Sequence, residues 1–132
     1  MIITASKLKE LGYKVSANLS AAEIDRAEAD ILAAYFSRLY NTIPDFDNSD
    51  DIEALASLVY LLLCRRRATV TRYGTVDKKV SFSDNKEVDD ALREQYATAA
   101  MWLKRIRAKA DNPKAFVYDI CHIYFKTLFF HD

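Results

Sequence analysis

Residues 50–68 read DDIEALASLVYLLLCRRRA, the most apolar stretch of the chain and the one that decides its fold. Ile52, Leu55, Val59, Leu62 and Leu63 recur at the spacing of one face of a 3.6-residue helix. Leu58, Tyr60, Leu61 and Cys64 make the other faces apolar too, and a helix that is hydrophobic nearly all round is buried on several sides. The pattern therefore predicts a central helix around which the rest of the chain packs. Asp50 with Glu53 has capping-box spacing at its start, and Arg65, Arg66 and Arg67 close its other end in accord with the helix dipole.

Working outward, composition supports the same class. A chain of 132 residues is the size of one domain, and 2 glycines and 2 prolines favour long helices over a many-turned β-sandwich. Ile2 and Ile3 lead to Thr4, which caps a short helix that stops at Gly12, forming a small lid. A loop over 13–19 is anchored by Val15 and Leu19. Ser20 and Glu23 then form a capping box, with Leu19 and Ile24 as its hydrophobic staple. Ile24, Ala27, Ile31, Tyr35 and Leu39 give that helix a buried stripe, leaving Glu23, Asp25, Arg26, Glu28 and Asp30 largely outside until it ends near Tyr40. Residues 41–49, with Pro44 and several turn formers, connect it to the central helix.

After the central helix, β-branched and aromatic residues around Gly74 predict an extended, hairpin-like arm over 69–82. Asp84 and Glu87 repeat the capping spacing and open another long helix. Its inner side carries Val88, Leu92, Tyr96, Ala99, Leu103 and Ile106, extended by Trp102, and Lys104, Arg105, Arg107 and Lys109 gather at its end. Asn112 and Pro113 read as the cap and first position of a last, aromatic helix over 113–132. The expected fold is thus all-α, a single domain of four to five helices around a central hydrophobic helix, with a projecting arm.

The residues offer little to catalysis. His122 beside Cys121, with His131 beyond, is the only cluster suggestive of a metal, and adjacent helical positions point about 100° apart, too far to share an ion easily. The carboxylate pairs Asp50/Asp51 and Asp89/Asp90 fall in predicted first turns, where capping and the helix dipole explain them. There is no glycine-rich phosphate loop, nucleophile elbow or zinc spacing. Neither an enzyme nor a cofactor is expected. Cys64 and Cys121 are too few for a disulfide framework and read as thiols of a reducing compartment. The opening MIITASKLKE lacks the apolar core of a signal peptide, and the uncharged run 54–64 is about half the roughly 20 residues of a membrane span, so neither export nor insertion is expected.

Charge carries the functional signal. With 19 basic and 19 acidic residues the formal net charge is zero, which gives no global field toward DNA or an anionic membrane and favours self-association. The charges are unevenly placed. Arg65, Arg66, Arg67, Arg72, Lys78 and Lys79 against Asp77 leave 65–80 near +5, while Asp45, Asp47, Asp50, Asp51 and Glu53 leave 41–53 near −5. Three readings stay open: helix-end charge plus a solvated loop, nucleic-acid binding by cations interleaved with Tyr73, and complementary contacts between copies. Seven Phe, 8 Tyr and 1 Trp exceed the needs of a small core, which places some aromatics at subunit contacts.

The order of elements adds a resemblance. A short ITxxxLKxLG segment at 3–12, two helices, the stretch RYGTVDKKVSFSD at 72–84 and a long helix carrying EQYATAAMWLKRI at 94–106 resemble the head–tail connector (adaptor) proteins of tailed bacteriophages and prophages. The likeness covers about residues 1–110, and the aromatic stretch 113–132 departs from it. The resemblance implies a non-enzymatic virion component, made in the cytoplasm of a bacterial host and sited at the virion neck. Such subunits form a ring, commonly of twelve copies, between the portal protein and the tail-completion proteins, with DNA as passing cargo. Carried onto this chain, the implied contacts are Arg65, Arg66, Arg72, Tyr73, Val76, Lys78, Lys79, Val80 and Phe82 of the arm and its base. Apart from the resemblance, the charge pattern adds Asp45 and Asp47 of the acidic stretch as candidate contacts, and the surplus of aromatics adds Phe125, Phe129 and Phe130. The alternative function is a small helical nucleic-acid-binding or regulatory protein using the basic 65–79 patch.

Overall fold

A computed structural model describes residues 2–73 and 82–115, with side chains described over 2–66 and 92–115. Every regular element in it is helical: α1 (Ala5–Glu10), α2 (Ala21–Ile31), a π-helical segment (Leu32–Phe36), α3 (Ser37–Leu39), α4 (Ser49–Tyr73) and α5 (Phe82–Lys109). The all-α class follows as expected. Helix α4 packs most extensively on α5 and next on α2. The start of α4 lies beside the end of α5, so the two run antiparallel.

Local chemistry accounts for the first half. The Thr4 hydroxyl accepts from the Lys7 N–H at 3.1 Å and opens α1. Gly12, at φ 96°, closes it in the left-handed conformation that its missing Cβ makes cheap. The Gly12 N–H reaches the Lys9 carbonyl at 3.0 Å and the Tyr13 N–H the Leu8 carbonyl at 2.9 Å, the paired bonds of a Schellman ending. Ser20 caps α2 as read, its hydroxyl accepting from the Glu23 N–H at 3.1 Å. The predicted stripe of Ile24, Ala27, Ile31, Tyr35 and Leu39 is fully buried. The π-helical segment Leu32–Phe36 widens this helix before α3, and buries Phe36 beside Tyr35.

Glu28 is a correction. It is not on the outside but 5% exposed, because the N-terminal segment crosses α2 and brings backbone donors that require an acceptor. One Glu28 carboxylate oxygen accepts from the Ile2 N–H at 2.8 Å and the Ile3 N–H at 2.5 Å.

In α4, the run from Ala54 to Val59 is buried without interruption, as are Leu61 and Leu63. The central helix is therefore enclosed nearly all round, but Leu62 of the predicted stripe is only half-buried. Its cap also differs. Asn48, not Asp50, stands at the N-terminus, its side-chain oxygen accepting from the Asp50 N–H at 2.9 Å and its carbonyl from the Ile52 N–H at 3.1 Å. Asn caps as well as Asp, and Asp50 is engaged elsewhere.

The arm requires the largest correction. Arg65, Arg66 and Arg67 do not end α4, which continues through Thr69 to Tyr73, and Phe82 opens α5 two residues before Asp84. Extending a formed helix costs little per residue, so a few β-branched residues do not stop it. Of the predicted 69–82 arm, residues 69–73 and 82 are helical, and 74–81 lie outside the described residues. The early start also puts Asp89 and Asp90 about two turns inside α5. The inner side of α5 holds as read at Leu92, Ala99, Leu103 and Ile106.

Pro113 does not open a helix at the residues described. The Asn112 N–H donates to the Leu39 carbonyl at 2.9 Å, tying the chain to the end of α3, and the Ala115 N–H closes a turn on the Asn112 carbonyl at 3.0 Å. The predicted helix over 113–132 otherwise lies outside the described residues.

Candidate functional site

Helix α4 separates two surfaces. The first is formed where α3 ends, α4 begins and α5 ends. The Asn41 N–H donates to Asp111 Oδ2 at 2.9 Å, Asn112 Nδ2 donates to Asn41 Oδ1 at 3.0 Å, and Lys109 Nζ meets Asp50 Oδ2 at 2.7 Å. Hydrogen bonding to Lys109 and its positive charge hold the Asp50 carboxyl below its ordinary range. Tyr40 reaches the Ile106 carbonyl at 3.4 Å. Burial, helped by Asp51 and Asp111, raises its phenol. Arg107 donates to the Pro113 carbonyl at 3.1 Å and the Ala115 carbonyl at 3.2 Å, which fixes the turn after α5.

On that frame sits the 41–48 loop. Phe46 is buried edge-on against Phe36, ring centroids 5.3 Å apart, and takes φ 60°, a left-handed conformation that is rare for a bulky residue. Such strain costs on the order of 1–3 kcal/mol and persists only where packing fixes it. With Phe46 turned inward, its neighbours Asp45 and Asp47 face solvent, and Ile43 is 41% exposed. The result is a small acidic projection with an apolar member.

The second surface lies toward the other end of α4, against the N-terminal half of α2. A groove of about 290 Å³ is lined by Glu23, Arg26, Leu63 and Arg66. Leu63, itself 4% exposed, is its apolar floor. Arg66 is paired with Asp30 across the groove's edge. Glu23 is engaged with Ser20 in the capping box. Arg26 is exposed and makes no ion pair among the described residues. A second recess of about 180 Å³ shares Leu63 and is bounded by Lys14, Leu19, Tyr60 and Cys64.

Tyr60 holds that recess in place. Its hydroxyl donates to the Lys14 carbonyl at 2.5 Å, and its ring lies 4.7 Å from that of Tyr13. Both phenols are pushed up to about 12, chiefly by burial, Tyr13 further by Glu53 and Tyr60 further by Cys64. They stay protonated at neutral pH, and the Tyr60 hydroxyl serves as a hydrogen-bond donor rather than an acid. Cys64 is a half-buried thiol that forms no disulfide among the described residues. Among the described residues no three His, Cys, Asp or Glu side chains converge to hold a metal. No described helix is long and apolar enough to cross a membrane.

The sequence-predicted contact residues thus fall into four groups. Asp45 and Asp47 are exposed on the first surface, while Arg65 and Arg66 lie at the second, so the structure does not bring them together within one chain. Arg72 and Tyr73 belong to the last turn of α4 and Phe82 to the first turn of α5. Val76, Lys78, Lys79, Val80, Phe125, Phe129 and Phe130 lie outside the described residues, as do Cys121, His122 and His131. Ile43, Lys14, Arg26 and the role of Leu63 escaped the sequence reading. An isoleucine between polar turn formers was the available signal for the first; the others depend on how α2 crosses α4, which no local pattern encodes. Comparison with protein-family models, curated proteins and solved structures returns no match.

Proposed function

We propose that this protein is a head–tail connector subunit of a tailed bacteriophage or prophage. Copies associate head to tail in a closed ring at the virion neck, between the portal protein and the tail-completion proteins, with DNA passing through as cargo. The reading rests on the resemblance of residues 1–110 and is supported by one observation of geometry. The exposed acids Asp45 and Asp47 precede α4, and the basic run from Arg65 to Arg72 occupies its far end, 16 residues and more from Ser49. At 1.5 Å per residue that is about 24 Å or more. Opposite charges at opposite ends of a rigid helix cannot neutralise each other in one chain, but they meet in a heterologous contact, which closes into a ring when the rotation permits. Zero net charge removes the long-range repulsion that would oppose assembly.

The test is electron microscopy of the concentrated protein, alone and mixed with the portal protein of the phage or prophage that encodes it. Closed rings with an open centre are the expected outcome. A protein that stays monomeric in both samples and instead binds duplex DNA would replace this reading with nucleic-acid binding.

A further inference from the structure

We infer that the groove over Leu63 is the receptor for the 43–47 loop of a second copy of this chain, with Ile43 as the inserted residue. This inference rests on the ring reading and names the two surfaces that would join.

Three observations carry it. First, the shapes correspond. The loop presents a branched apolar side chain, 41% exposed, beside Pro44, while the groove of about 290 Å³ has an apolar floor at Leu63 and room for the four carbons of isoleucine. The aliphatic stems of Arg26 and Arg66 can cover an inserted apolar group while their heads stay at the rim. Second, the charges correspond. Asp45 and Asp47 follow the inserted residue in the loop, and Arg26 and Lys14 stand exposed in the two recesses that share Leu63, without ion pairs among the described residues. Against the acids nearby, Glu23 and Asp30, the three cations Lys14, Arg26 and Arg66 leave an excess of one positive charge. Third, the contact has to be between copies. Leu63 is 14 residues along α4 from Ser49, about 21 Å of rigid helix, so a loop that precedes Ser49 cannot fold back onto its own groove.

The loop is also built to hold its shape. Phe46 anchors it from beneath at the cost of a left-handed backbone, and Asn48 caps the helix that follows. Little ordering remains to be lost on docking, which favours association. Loop and groove are different surfaces, so the contact is head to tail and each copy keeps one free loop and one free groove until a ring closes.

The experiment mixes two full-length variants, both with Cys64→Ala and Cys121→Ala. One carries Ile43→Cys and the other Arg26→Cys. After mild oxidation, the mixed disulfide should exceed either like-with-like product by about tenfold, since a head-to-tail contact pairs position 43 of one copy only with position 26 of the next. In the intact protein, Asp45→Lys/Asp47→Lys should weaken association about tenfold or more, and adding Lys14→Glu/Arg26→Glu to the same chain should restore it. Positions 14, 26, 43, 45 and 47 are exposed, and circular dichroism establishes that each variant is folded. Rings that form without the mixed disulfide overturn the inference and leave the connector reading standing. A mixed disulfide in open filaments or isolated pairs supports the inference and overturns the ring. No association of the intact protein at about 100 µM, alone or with the portal protein, overturns both.

Discussion

The Asp50 carboxylate and the Lys109 ammonium meet at 2.7 Å, joining the first turn of α4 to the last turn of α5. Each charge also sits at the helix end whose dipole it complements, Asp50 at a positive N-terminus and Lys109 at a negative C-terminus. The pair lowers the Asp50 pKa in the folded state. A lowered folded pKa means that the contribution is complete above the unfolded value, about 3.9, and is lost as pH falls through the folded value. Asp50→Asn should therefore melt below the parent at pH 7, and the gap should be narrower at pH 3. Both side chains are about half exposed, so salt at about 1 M, where the Debye length is near 3 Å, should narrow the gap at neutral pH. Thermal melts followed by circular dichroism at the two pH values check both statements; a gap as wide in acid would mean that Asp50 acts through something other than its charge.

The core makes a sharper forecast. Leu55 is fully buried in the middle of the enclosed stretch of α4, whereas Leu62 is half-buried. Leu55→Ala should cost about 2–5 kcal/mol, because a cavity adds to the lost transfer energy, and Leu62→Ala should cost less than half as much. Urea denaturation of the two variants gives the comparison directly.

That contrast marks what the chain discloses by itself. A periodic apolar stretch announces a buried helix, and Ser20, Thr4 and Gly12 announce helix ends, since each acts on backbone groups within four residues. Which of Leu61, Leu62 and Leu63 faces out depends on where α2 and α5 cross α4, a relation between distant segments. The same limit explains Glu28, whose donors lie 25 and 26 residues earlier. The Thr69–Tyr73 turn has a local cause instead, since weak strand propensity loses to a helix already under way. At the candidate site, charges were legible as runs, but their separation to opposite ends of α4 and the cover of Arg66 by Asp30 were not.

Glu28 offers a direct test of the N-terminal clasp. Glu28→Ala leaves the buried Ile3 N–H without a partner, which should cost about 1–3 kcal/mol, while Glu28→Gln retains one acceptor oxygen and should recover much of it. Amide exchange at Ile3 is the specific readout. Protection there should collapse in Glu28→Ala and return in Glu28→Gln, and the Ile24 and Ile31 amides on the same helix should change far less. Equal loosening at all three sites would make Glu28 a general packing residue instead of a clasp.

The last forecast concerns DNA. Non-specific affinity comes from cations that displace counterions from phosphates, and each cation already held by a carboxylate contributes less. Arg66 is held by Asp30. The chain as a whole carries no net charge to draw in a polyanion. Duplex DNA titrated at about 150 mM salt should therefore bind more weakly than about 10 µM. Asp30→Asn releases Arg66 and removes one negative charge, so it should tighten whatever binding exists and steepen its salt dependence. Arg66→Glu should do the reverse. Micromolar binding by the parent that disappears in Arg65→Glu/Arg66→Glu would assign the basic end of α4 to nucleic acid and leave the Leu63 groove without its proposed neighbour.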